Sequence, residues 1–303
     1  MGDLVHTYNA ISKINQNKTN IILVTQKDYD YQLNKIFNIN THSISLKFPK
    51  IIIDFMKLLL ILLFSKSILI MHKKNLIFEI LRLFKKKNFF YSKKTDKKII
   101  NRYEALKISF DKLNLDFEYS YLNKVYLKKL YLTKLAKKNY ILISTNGGNK
   151  YAPHSARTID IEIINSILRR FNHIQIILAG SGDSDDKYYS KIMEKNEYQN
   201  IINLSSKLDV KELLFLLQNS KFNILNDSFP LQLAQYCKNK TYAFFGPTNP
   251  QEVLLPKSKI TSLISESICK YCYDHNYGAF NLMYNCPNNL CGKYKELQFN
   301  EYF

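Results

Sequence analysis

The chain has 303 residues, 46% of them hydrophobic, which is enough for two domains of ordinary size and sets aside a chain too polar to bury a core. Lys and Arg number 44 against 25 Asp and Glu, a formal charge of +19. That balance favours an anionic partner (nucleic acid, a membrane surface or a phosphorylated substrate), with lysine-rich coding bias as the plain alternative.

The opening MGDLVHTYNA has no charged region followed by an apolar one, so no secretory signal is expected. Strands are predicted at 20–26 (NIILVTQ), 67–73 (SILIMHK) and 88–94 (NFFYSKK), with helices at 51–64, 74–84 and 99–114. The segment IIIDFMKLLLILLF at 51–64 is 14 residues long and is interrupted by Asp54 and Lys57. A bilayer span needs about 20 apolar residues, so a buried or interfacial helix is expected there. The densest basic runs follow it, at Lys85-Lys86-Lys87, Lys93-Lys94 and Lys97-Lys98.

The stretch 115–139 is rich in Lys, Tyr and Leu and takes the domain boundary, giving a first domain over 1–135 and a second over 136–303. From there strands and helices alternate. Strands fall at 140–145, 173–180, 200–205, 222–227 and 241–246; helices fall at 158–171, 185–195, 209–220 and 230–237. Asp209 is placed to cap the third of those helices. Alternation of this kind implies βαβ units and a parallel sheet, an α/β fold with its strand C-termini on one edge.

Five of the eight glycines, Gly147, Gly148, Gly180, Gly182 and Gly246, fall just after predicted strands. Ligands of open α/β sheets bind outside the strand carboxyl ends, where bare amides and helix N-termini suit an anion. Tight βα turns explain the same glycines without a ligand. Asp227 and Ser228 end a strand just before a helix: the carboxylate can accept sugar hydroxyls and the hydroxyl can donate to a phosphate, or either residue can simply cap the helix. The turn Gly246-Pro247-Thr248 ends the next strand and is expected to bring Thr248 and backbone amides beside Asp227.

NDSFPLQLA followed by FFGPTNP resembles the donor-site signature of glycosyltransferase family 9, the heptosyltransferases: D-[ST]-G-P-x-H-x-A, then [FY]-G-P-T-[DN]-P. GDLVHTYNAI is similar to the family's opening G-D motif, and the cysteine segment to the C-terminal cysteines of many members. INRYEALKISFDKLNLD resembles the helix before the family's crossover between domains.

The resemblance implies a GT-B fold, two Rossmann-like domains facing a cleft, with the acceptor on the first and the sugar nucleotide on the second. It implies an inverting, metal-free transfer of a heptose from ADP-heptose to a lipopolysaccharide core or related surface glycan. On this pattern Asp3 is the base, and Thr145, Asn146, Gly147, Gly148, Lys150, Asp227, Ser228, Gln232, Gly246, Pro247 and Thr248 bind the donor, with Arg157 competing for the role of Lys150. The sequence departs from the family in three places. Phe229 stands where the family has glycine, and Gln232 where it has histidine. The family has a strand before its G-D motif, which here is Gly2-Asp3, so either the start is misassigned or the first strand of the first domain is lacking.

Cys269, Cys272, Cys286 and Cys291 have a spacing that could hold a structural zinc or be reduced thiols in a compact loop, with Cys237 apart from them. The expected partners are a nucleotide sugar and an anionic lipid-linked glycan. The expected setting is a cytoplasmic monomer, peripheral at the inner membrane and without nucleic acid. Two rivals stay open: a degenerate GT-B module that binds sugar nucleotide without transfer, and a basic nucleic-acid-binding protein with a zinc-ribbon-like tail.

Overall fold

The structure is a computed structural model, and it describes residues 2–16, 23–26, 33–34, 36–37, 39, 41–44, 68–70, 89–91, 101–111, 114–118, 120–145, 157–194, 199–256 and 258–264. The predicted helices at 51–64 and 74–84, the basic runs at 85–87, 93–94 and 97–98, and the four C-terminal cysteines lie outside the described residues. The chain divides into two compact units, Asp3–Tyr119 and Ser120–Phe303. The division falls inside the 115–139 stretch, and residues 120–135 go with the second unit.

In the first unit, helix α1 (Gly2–Gln16) is buried all round from Val5 to Ile11, with His6, Thr7 and Asn9 enclosed beside Val5, Tyr8, Ala10 and Ile11, and Ile14 is buried one turn on. Strand β1 (Leu23–Gln26) pairs in parallel with β2 (Thr41–Ile44), and β3 (Ile68–Ile70) with β4 (Phe89–Tyr91). Helix α2 (Arg102–Asp111) starts where the Asn101 side chain accepts from the Tyr103 amide at 2.9 Å. Its Phe110 packs edge-on against Phe117, with ring centroids 5.4 Å apart.

The second unit opens with an extended run tied to the body of the unit. Leu122 N–H donates to the Tyr236 carbonyl, and the Gln218 amide bridges Asn123 and Val125. Helix α3 (Leu130–Ala136) buries Leu132 and Leu135. Then come β5 (Tyr140–Ser144), α4 (Ile161–Arg170), β6 (Gln175–Leu178), α5 (Asp183–Glu194), β7 (Ile201–Asn203) and α6 (Val210–Asn219). The unit continues with β8 (Phe222–Asn226), α7 (Phe229–Ala234), β9 (Thr241–Phe245), α8 (Pro250–Val253) and β10 (Ile260–Ile264).

The six strands form one parallel sheet in the order β10-β9-β8-β5-β6-β7. Counted within the unit this is the doubly wound order 3-2-1-4-5-6 of dinucleotide-binding folds. Its strands are apolar throughout because both faces are covered: every residue of β5 and β9 is buried. The core on one face joins Ile141, Ile143, Ile164, Leu168, Ile176 and Tyr242. Burial pushes the Tyr140 phenol above the usual tyrosine range, and its hydroxyl donates to the Leu216 carbonyl at 2.7 Å.

Local chemistry sets the helix starts. Asp209 accepts from the Glu212 amide at 2.8 Å while Glu212 accepts from the Asp209 amide at 2.9 Å, a complete capping box. Asp160 caps α4 through the Glu162 amide. Among the described residues no helix is long and apolar enough to cross a membrane.

Two glycines of the strand-end set have an explanation inside the fold. A Cβ on Gly180 would lie 2.4 Å from Asp185 Oδ2, a carboxylate that accepts from the Ser181 amide. Gly182 has φ +91°, in the left-handed region. The turn after β6 is therefore closed by an internal acid. Gly180→Ala is expected to lower stability by about 1–3 kcal/mol, the usual cost of overpacking. In the double variant with Asp185→Gly, which removes Oδ2 and also the Asp185 Cβ that would lie 2.6 Å from the new methyl, that clash is relieved, so thermal melts of the four proteins should give a favourable coupling between the two sites.

Candidate functional site

In a doubly wound sheet the strand order reverses at one place, here between β5 and β8, and the crevice above their carboxyl ends is where ligands bind. β5 runs into Thr145 and β8 into Asp227, while the neighbouring β9 runs through Gly246 and Pro247 to Thr248. Three predicted site residues thus sit on three adjacent strand ends of one sheet. The whole turn from Gly246 to Pro250 is buried. Asn249 Oδ1 accepts from the Gln251 amide at 3.0 Å and caps α8, which holds the turn in place.

The three side chains share one property. Thr145 and Thr248 are 0% exposed and Asp227 is 6% exposed, yet Thr145 Oγ1, Asp227 Oδ2 and Thr248 Oγ1 make no hydrogen bond of normal geometry among the described residues, the Tyr188 hydroxyl interacting only weakly with the Thr145 side chain. Buried polar atoms are nearly always satisfied, so three such oxygens along one sheet edge call for a reason. A ligand supplies one: hydroxyls can donate to phosphate or sugar oxygens, and a carboxylate can accept from sugar hydroxyls.

The backbones of Thr145 and Asp227 are engaged by other groups. The Thr145 amide donates to Tyr189 Oη at 2.9 Å, and its carbonyl accepts from the Ile159 amide and from Asn226 Nδ2. The Asp227 amide donates to the Phe244 carbonyl at 3.2 Å. Arg157 reaches Asp227 twice: Nη1 donates to its carbonyl at 3.2 Å, and Nη2 lies 3.9 Å from Oδ2. The guanidinium therefore compensates a carboxylate that would otherwise be buried at high cost.

Two sequence expectations meet a different arrangement. Ser228 is the N-cap residue of α7 but makes no side-chain cap bond; its hydroxyl donates to Asn226 Oδ1 at 2.7 Å, so its proton points back to the strand and away from the helix mouth. Gln232 is buried, and its Oε1 accepts from Gln235 Nε2 at 2.8 Å. Gln235 in turn holds the Val253 carbonyl and the Leu255 amide. The amide that replaces the family histidine thus belongs to a relay bracing the loop after α8.

Asp3 lies in the first turn of α1, a helical position in place of the expected loop. Asn146, Gly147, Gly148 and Lys150 are outside the described residues, as are Cys269, Cys272, Cys286, Cys291 and His275. Among the described residues no cluster of His, Cys, Asp or Glu could hold a metal ion. Cys237 is buried and stands apart from any such chemistry, its thiol pushed up to about 12 by burial.

Sequence reasoning passed over Asn226 and Tyr189. Asn226 Nδ2 donates to the carbonyls of Thr145 at 3.2 Å and Arg157 at 2.8 Å, and its Oδ1 receives Ser228. The available signal was an amide at the end of an otherwise apolar buried strand. Tyr189 projects from α5 to donate to the Ala179 carbonyl while it receives the Thr145 amide; a tyrosine on the core side of a helix was its only mark.

Thr145→Val and Thr248→Val remove hydroxyls that make no hydrogen bond of normal geometry among the described residues. Each is expected to leave the melting temperature unchanged or slightly raised, while weakening donor binding by about tenfold in titration calorimetry, the worth of one buried hydrogen bond. Arg157→Ala is expected to cost about 1–3 kcal/mol of stability, read by thermal melts, because Asp227 loses its compensating cation; Arg157→Lys should recover only part.

The family model of glycosyltransferase family 9 (heptosyltransferase) matches residues 85–277, more than half of the chain. None of the curated proteins matches. Among solved structures, the glycosyl transferase family 9 of Veillonella parvula aligns with TM-score 0.65 at 15% identity over 86% of this chain and 82% of that one. The E. coli ADP-heptose LPS heptosyltransferase II aligns with TM-score 0.65 at 13% identity over 99% and 96%. The E. coli heptosyltransferase WaaC, solved with ADP-2-deoxy-2-fluoro heptose, aligns with TM-score 0.61 at 11% identity over 99% and 96%. At these identities the solved structures speak for the fold, and the family match for the class: the chain belongs to glycosyltransferase family 9, the heptosyltransferase family, and is a glycosyltransferase of GT-B fold.

Proposed function

We propose that this glycosyltransferase moves a heptose from ADP-heptose to a lipopolysaccharide core or related surface glycan, as a cytoplasmic monomer peripheral at the inner membrane. The observation that carries the reading is the row of buried side-chain oxygens of Thr145, Asp227 and Thr248 at the switch point, none of which makes a hydrogen bond of normal geometry among the described residues. Family membership and the ADP-heptose chemistry of the similar E. coli heptosyltransferases support the choice of donor.

In this reading the Asp227 carboxylate accepts hydroxyls of the donor, and the Thr145 and Thr248 hydroxyls donate to its phosphate oxygens. Asp3 removes the proton of the acceptor hydroxyl as that oxygen attacks the anomeric carbon from the face opposite the departing phosphate. The new C–O bond forms as the old one breaks, the centre inverts, and ADP leaves with the electron pair. Lys150 and the amides at Gly147 and Gly148 stabilise its developing charge. Deprotonation by a carboxylate and stabilisation by fixed donors leave no step that requires a metal.

Titration with ADP-heptose, UDP-sugars and GDP-sugars tests the donor: tightest binding of ADP-heptose is expected, and a preference for another nucleotide rejects it. Asp3→Asn is expected to bind donor normally while transfer falls by about 10²–10⁴. Equal transfer by that variant removes Asp3 from the chemistry. If the unaltered chain binds donor and never transfers, it is the non-catalytic module. Chelator is expected to leave turnover unchanged.

A further inference from the structure

Five large apolar side chains are exposed among the described residues, and three of them, Tyr126 at 78%, Leu130 at 67% and Tyr131 at 45%, fall within one short segment. The same segment carries Lys124, Lys128, Lys129, Lys134, Lys137 and Lys138, all exposed, and from Ser120 to Asn139 it contains no acid. At about 100° per residue, Leu130, Tyr131, Lys134, Lys137 and Lys138 fall within an arc of roughly 120°. Leu132 and Leu135 point the other way and are buried, on the side where α3 meets α6.

This surface is held rather than trailing. The Gln218 amide and the Tyr236 carbonyl tie down Leu122 to Val125. Lys129 is paired with Glu212, which itself belongs to the capping box of α6.

We infer that the exposed face of residues 124–138 is a docking surface for an anionic lipid bilayer. Lysines attract anionic headgroups and can lay their alkyl stems along the apolar zone. Tyrosines prefer the headgroup level, and an exposed leucine between lysines completes the pattern of a helix lying in the interface. A nucleic acid would use the lysines but has no partner for Leu130. The inference rests on the membrane placement proposed above and gives it a location. That location lies outside the basic runs at 85–98 on which the sequence had fixed attention.

The test uses the full chain and sedimentation with phosphatidylcholine vesicles, with or without phosphatidylglycerol. The unaltered protein is expected to pellet only with the anionic vesicles. Lys124→Glu with Lys128→Glu and Lys134→Glu is expected to weaken that binding by roughly a hundredfold, about fivefold or more for each lysine. Tyr126→Ser with Leu130→Ser is expected to weaken it by about tenfold. Both variants should keep their circular dichroism and donor affinity, and neutralising Lys85, Lys86 and Lys87 should leave vesicle binding unchanged. If both variants bind anionic vesicles like the unaltered protein, or if only the 85–87 variant loses binding, the surface lies elsewhere and the inference falls. If an RNA duplex binds through these lysines and vesicles do not, the partner is nucleic acid. If the unaltered protein ignores anionic vesicles and RNA alike, the membrane placement itself fails.

Discussion

One buried amide holds the centre of the second unit together. Asn226 ends β8 at the reversal of strand order; it donates across to the Thr145 carbonyl of β5 and to the Arg157 carbonyl of the following loop, and receives the Ser228 hydroxyl. In a dry interior such bonds are strong and their geometry is fixed. They satisfy the backbone at the switch point from within the protein. Thr145 Oγ1 and Asp227 Oδ2 make no hydrogen bond of normal geometry among the described residues, with Arg157 3.9 Å from the carboxylate, and Thr248 Oγ1 joins them from the next strand.

That arrangement has a cost. A buried hydroxyl or carboxylate oxygen left without a partner disfavours the folded state by about 1–3 kcal/mol each. Folded proteins tolerate such atoms mainly where function needs them. Arg157 limits the cost at Asp227 by placing its guanidinium against both the carbonyl and the carboxylate. The contrast with Gly180 is instructive: it stands on the same edge, but the space above it is taken by the Asp185 carboxylate, so that glycine serves packing inside the chain. Position on the sheet edge alone does not mark a ligand contact.

Much of this was legible in the sequence for simple physical reasons. Parallel strands covered on both faces are continuous apolar runs, so β5, β6, β8 and β9 stood out. Asp209 announced α6, because a capping aspartate before an apolar periodic stretch has few other uses. β10 did not stand out: Ile260–Ile264 mixes apolar and hydroxyl residues, is only partly buried and pairs with one neighbour, β9. β2, Thr41–Ile44, is short and largely polar. The strand order was out of reach, since pairing depends on contacts between distant segments. The motif reading singled out Asp227, Thr145 and Thr248, which the sheet brings to adjacent strand ends, but not the direction of the Ser228 proton or the Gln232–Gln235 relay, which depend on side-chain partners three residues away or fewer.

A crystal structure of the chain with ADP-heptose or its fluorinated analogue would test the central claim most directly. The account predicts donor oxygens within hydrogen-bonding distance of Thr145 Oγ1, Asp227 Oδ2 and Thr248 Oγ1 above the β5/β8 switch point, with the Asn226 bonds intact. A donor seated away from those three atoms, or a complex in which they stay unengaged, would contradict it.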